Sequence, residues 1–134
     1  MLVQMSGAPG SGKSTIARRL AHERGLVILY HDVVKAAQLA AGLPFAQAGR
    51  LSYAVLLGLA EDLLRQGHRV VIDSPCFYDE LLDCGQSIAA RAGVAYRYIE
   101  CVTDDLEVLD RRLRAHPRRA GTGRGYNLFS GEGV

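Results

Sequence analysis

A chain of 134 residues has room for one domain with a true core but not for two. Hydrophobic residues make up 49% and charged residues 22%, which argues against a disordered or fibrous class, and a formal charge of +2 is too small to define a nucleic-acid or membrane surface. The three cysteines, Cys76, Cys84 and Cys101, match neither a disulfide ladder nor a zinc site, no apolar stretch approaches 18 residues, and the opening run Met1 to Met5 is too short for a signal peptide. Reduced thiols in a cytoplasmic setting, with no membrane partner, are the expectation.

Taken in chain order, the apolar run Leu2 to Ser6 predicts a first strand and Gly12 to Arg24 a helix, stopped by Gly25. Leu26 to Tyr30 predicts a second strand, followed by a helix over Val33 to Ala41. The break at Gly42-Leu43-Pro44 leads to a helix over Arg50 to Gln66 stopped by Gly67, where Leu51, Val55, Leu59 and Leu63 repeat at helical spacing and read as core. A third strand follows over Arg69 to Asp73, then a helix over Tyr78 to Ala92 ended by Gly93, and a fourth strand over Val94 to Cys101. A last helix is expected over Asp104 to Ala115. Alternating short apolar runs and amphipathic segments predict a single α/β domain, a parallel sheet covered by helices. It would occupy residues 1–120, with a flexible Gly-rich tail over 121–134. The arginines concentrate between Arg111 and Arg124.

The strongest chemical signal lies between the first strand and the first helix. Gly7-Ala8-Pro9-Gly10-Ser11-Gly12-Lys13-Ser14 satisfies GxxxxGK[ST], the P-loop or Walker A pattern, and Thr15 follows. Glycines in this position let successive backbone N–H groups wrap a phosphate chain at the positive end of a helix. Lys13 would neutralise β- and γ-phosphates of ATP, the Ser14 hydroxyl would take one position on an octahedral Mg²⁺, and Thr15 would contact phosphate nearby. A bare glycine turn capping a helix does not explain strand, loop, lysine, hydroxyl and helix in that order.

Two acids complete the candidate site. Asp73 ends the apolar run Val70-Val71-Ile72, and in a parallel sheet the carboxyl ends of strands converge on the ligand crevice, so Asp73 is a second candidate Mg²⁺ ligand; its plainer role is a turn residue before Ser74-Pro75. Asp32 follows the second strand on the same side. It can cap the next helix, and it can accept or orient a hydroxyl proton during phosphoryl transfer. His22, His68 and His116 have no metal-ligand spacing, and Cys76 reads as a small buried side chain beside the crevice. Phe45, Tyr53 and Tyr78 can line a substrate pocket or simply pack.

These residues resemble the small P-loop kinases grouped with zeta-toxin-like, polynucleotide-kinase-like and chloramphenicol-phosphotransferase-like proteins. The resemblance runs from about Met1 to Arg119 and rests on GAPGSGKST, on His31-Asp32 after the second strand, on VVIDSP ending the third, and on DRRLRAHPRR after the fourth. It implies a P-loop fold with strand order 2-3-1-4-5, Asp32 as the base toward a substrate hydroxyl, and an arginine-bearing lid. Arg112 matches the arginine on the helix leading into that lid. Where the family often has another arginine four residues later this sequence has His116, so Arg118 or Arg119 would supply transition-state charge. The family's fifth strand and final helix have no counterpart before Val134. The expected activity is Mg²⁺·ATP-dependent phosphorylation of a small-molecule hydroxyl. A nucleotide-binding module or slow ATPase without transfer, and a polynucleotide end kinase, are the competing readings.

Overall fold

The computed structural model describes residues 1–8, 10–75 and 78–102. These form strand β1 (Leu2–Gly7), helix α1 (Lys13–Arg24), β2 (Leu26–Tyr30), α2 (His31–Ala40), α3 (Phe45–Arg65), β3 (Arg69–Asp73), α4 (Asp79–Ala92) and β4 (Tyr96–Cys101). The expected helix over Asp104 to Ala115, and the tail, lie outside the described residues.

The strands form one parallel sheet in the order β2-β3-β1-β4, as the resemblance implies for the first four strands. The two inner strands are covered on both faces, which is why they read as unbroken apolar runs. Alternation along β1 shows the layering. Val3 and Met5 face α1, in a core shared with Ala17, Leu26, Val71 and Cys101. Leu2 faces the opposite way, onto a core of Leu56, Ala60 and Leu64 of α3, Val70 and Ile72 of β3, and Ile88 and Ala89 of α4. Each fully buried Val, Leu, Ile or Met among them stabilises the fold by about 1.5–3 kcal/mol relative to exposure. Gln4 is the polar exception on β1. It donates from Nε2 to the Leu81 carbonyl at 3.0 Å and accepts from the Tyr96 hydroxyl at 2.8 Å, so the buried amide joins β1, α4 and β4.

Helix α2 starts two residues before the expected Val33 and β4 two after the expected Val94, and α3 differs from the sequence reading in two respects. Helix α3 begins at Phe45, five residues before the expected Arg50, because Pro44 in an extended conformation (φ −58°, ψ 145°) sets its first turn. The leucine ladder then lies on the wrong face. Leu51, Val55 and Leu59 are 39%, 41% and 45% exposed, and Leu63 is partly buried. The buried stripe is the neighbouring one, Ala48, Gly49, Ser52, Tyr53, Leu56, Ala60 and Leu64. Its first half is small or polar because it packs on α2, where Ser52 donates to Gln38 Oε1 at 3.2 Å.

Candidate functional site

The phosphate loop follows from the way β1 ends. Gly7 is paired in register with Cys101 of β4, and a Cβ on it would lie 2.6 Å from the Cys101 carbonyl oxygen and 2.7 Å from Ser11 Oγ; its φ of 150° is also one that side chains avoid. Gly12 stands at φ 89° as the cap of α1, with no side chain capping that end and no acid in the first turn. The first N–H groups of α1 therefore have no side-chain acceptor from their own cap, the arrangement that receives an anion at a helix N-terminus. Ser11 Oγ is buried without a hydrogen-bond partner among the described residues, another donor turned into the loop.

Asp73 organises the charges beside this loop. It ends β3, opposite Met5 of β1, and is 4% exposed. Its Oδ2 accepts a 2.6 Å hydrogen bond from the Ser14 hydroxyl. Its Oδ1 lies 3.0 Å from Lys13 Nζ, an ion pair rather than an aligned hydrogen bond. The sequence-predicted Lys13, Ser14 and Asp73 thus meet at one point. Thr15 is exposed, its hydroxyl at the limit of hydrogen bonding to Arg18 Nη2, 3.5 Å. Pro9, Arg112, Arg118 and Cys76 lie outside the described residues.

The donor set suits Mg²⁺. A carboxylate and a hydroxyl already 2.6 Å apart offer hard oxygen ligands at the end of β3. Among the described residues no group of three or more His, Cys, Asp or Glu could hold a metal ion. Mg²⁺ commonly takes only one or two protein ligands and completes its octahedron with phosphate and water, so Ser14 and Asp73 are enough to fit it.

The second cluster lies at the end of β2. Tyr30 is in register with Asp73, so His31 and Asp32 open α2 on the same edge of the sheet. Asp32 stands in the first turn of α2, its side chain 30% exposed; the cap position is Tyr30, because β2 runs straight into the helix. One turn later comes Lys35, missed by the sequence reading. It is fully buried, with Nζ 4.0 Å from the Phe45 ring centroid, a cation over the face of an aromatic. Burial pushes its ammonium down to about 8, and the charge of Asp32 opposes that shift. His31, Asp32 and Lys35 at i, i+1 and i+4 were a readable signal, since a helix that turns His31 inward turns Lys35 the same way. Tyr53 is buried against His31, Phe45 is half exposed, and Tyr78 is partly buried beside Tyr53 and Leu81.

Cys101 completes the surroundings of the phosphate loop. Burial pushes its thiol up, with the Lys13 charge working against the rise, so it stays protonated at neutral pH and is a packing residue rather than a nucleophile. A groove of about 430 Å³ between α3 and α4 shares no lining residue with this site. None of the described helices is long and apolar enough to cross a membrane.

A family model described as an AAA domain matches residues 2–124. The chain belongs to the AAA domain family. Three solved structures share the fold of this AAA domain, and one of them is an APS kinase. A protein from Chloroflexus aurantiacus J-10-fl, provisionally named a kinase, superposes with a TM-score of 0.74 at 24% identity, over 85% of this chain and 64% of its own. The protein APE1195 gives 0.69 at 25% identity, over 85% and 66%. The Mycobacterium tuberculosis APS kinase CysC, in complex with AMPPNP and APS, gives 0.66 at 26% identity, over 96% and 79%. This AAA domain therefore spans just under two thirds of the first two of these proteins. No curated protein sequence matches it.

Proposed function

We propose that this protein transfers the γ-phosphoryl group of Mg²⁺·ATP to a hydroxyl of a small molecule. The observation that carries the reading is Asp73, which gathers Lys13 and Ser14 at the mouth of the P-loop while Asp32 opens α2 on the adjacent strand. The fold shared with an APS kinase solved with AMPPNP and APS supports the same class of chemistry.

In this reading the α1 N-terminus and the loop amides bind the phosphate chain, and Lys13 leaves Asp73 for the β- and γ-oxygens. Ser14 and Asp73 would hold Mg²⁺, which would supply positive charge beside the phosphate chain. Asp32 receives or orients the hydroxyl proton of the acceptor, and Lys35 keeps a positive charge one turn away. Arg112 and Arg118 are the arginines proposed for the transition state.

The test is isothermal titration with AMPPNP and Mg²⁺, for the wild type and Lys13→Ala, followed by a screen of hydroxyl acceptors with Asp32→Asn as control. Binding lost in Lys13→Ala and transfer lost in Asp32→Asn are the expected results. Binding without transfer to any alcohol, indifferent to Asp32→Asn, would leave a nucleotide-binding module or slow ATPase. Transfer confined to polynucleotide ends would identify the acceptor as nucleic acid.

A further inference from the structure

His31 is buried and held by two contacts with α3. Its Nε2 lies 3.4 Å from the Gly49 carbonyl oxygen of α3, its ring packs on Tyr53 with centroids 4.2 Å apart and planes tilted by 34°, and its side chain is 3% exposed. His22 and His68, the other described histidines, are exposed. A carbonyl can only accept, so the contact with Gly49 places the ring proton on Nε2 and leaves a lone pair on Nδ1. Nδ1 is buried with no hydrogen-bond partner among the described residues, and it lies 3.9 Å from Asp32 Oδ1. Packing explains the stacked ring. It does not explain two acceptors, a buried imidazole nitrogen and a carboxylate oxygen, facing each other without a proton between them.

From this geometry we infer that His31 is a positioning residue for Asp32, its Nδ1 holding the proton that Asp32 takes from the acceptor hydroxyl. The inference rests on the proposed role of Asp32. As the acceptor oxygen bonds to the γ-phosphorus and the bond to the ADP oxygen breaks, the hydroxyl proton passes to the Asp32 carboxylate. The neutral carboxyl then donates to the Nδ1 lone pair once the two close by about 1 Å to ordinary hydrogen-bond distance. The proton later leaves to water with the products, which restores the carboxylate and the Nε2–H imidazole. Other groups can influence this proton. Lys35 follows one turn later on the same buried side of α2, and Tyr53 of α3 lies against the ring. Asp73 of β3 is in register with Tyr30 but engages Lys13 and Ser14.

Ring-¹⁵N histidine NMR of the full chain from pH 5 to 9 tests this, with the His31 signals assigned by His31→Gln. It needs no nucleotide or acceptor, so it stands apart from the phosphotransfer reading. The neutral wild-type ring should show the Nε2–H tautomer. The Nδ1 resonance of that neutral ring should move in both Asp32→Asn and Asp32→Ser while those of His22 and His68 stay in place, since each variant removes the carboxylate that faces Nδ1. The Ser variant guards against a donor introduced by Asn. An Nδ1–H tautomer, or an Nδ1 resonance unchanged in both variants, overturns the inference even if the protein transfers phosphate. Coupling seen in a protein that fails every acceptor would overturn the phosphotransfer reading instead.

Discussion

The two halves of the candidate site are built by different means. The phosphate half is local in sequence: Gly7 to Thr15 form one loop and helix start, and one further residue, Asp73, reaches in from the neighbouring strand. The half proposed for the acceptor is a seam between α2 and α3 in which His31 meets Gly49 and Tyr53, and Lys35 meets Phe45. Backbone amides and short spacing make the first half; side chains ten or more residues apart, packed helix on helix, make the second. The lesson is that a phosphate grip can be carried by a motif, whereas an acceptor surface is made by packing.

The substitution that separates the halves most widely is Asp32→Asn. Transfer should fall by about 100- to 10,000-fold, the usual range for a general base, while AMPPNP affinity measured by titration stays within about twofold. Equal losses in both would break the division. The next largest effect tests the faces of α3. Leu56→Ala should destabilise the fold by about 2–5 kcal/mol in urea unfolding, and Leu51→Ala by less than about 0.5 kcal/mol, because only the first is buried.

Lys35→Met sharpens the comparison through pH. The folded-state value of Lys35, about 8, lies below its ordinary 10.5, so between those two pH values the unfolded chain binds more protons and this group makes stability rise with pH. Below pH 8 the buried charge is a constant penalty of up to about 3 kcal/mol. Thermal melts should show Lys35→Met more stable than wild type at pH 7, with the gap narrowing toward pH 10. The smallest effect belongs to Asp73→Asn. It removes the charge that holds Lys13, so AMPPNP affinity without Mg²⁺ should change by less than about tenfold while the gain on adding Mg²⁺ is lost, as read by titration with and without the metal.

The same division governs what could be read from the chain. β3 was legible to the residue and β1 to within one, because inner parallel strands are apolar runs; the edge strand β2 was legible to the residue because its short apolar run is bounded by Gly25 and by the polar start of α2; and the loop was legible because its glycines answer local demands of backbone and phosphate. The face of α3 was not. A ladder of Leu51, Val55 and Leu59 carries the expected helical period, yet the same period one residue along selects Ser52, Leu56 and Ala60, and only packing against α2 and the sheet decides between them. Lys35 was missed for a related reason, since a lysine in an amphipathic helix ordinarily faces water. Here it shares the buried side of α2 with His31 and ends beneath Phe45.

The Lys13–Asp73 contact has a consequence for what can enter the site. Without nucleotide, the lysine already has a counter-ion at 3.0 Å, so binding is an exchange of one anion for another rather than the filling of a bare positive charge. Exchange sets a threshold. A weakly held monovalent anion such as chloride gains little by displacing a buried carboxylate, while a triphosphate, with several charges and the loop amides to receive them, gains a great deal. If the loop binds ATP as proposed, the internal pair would favour an anion of high charge density over the monovalent salt of the surrounding solution.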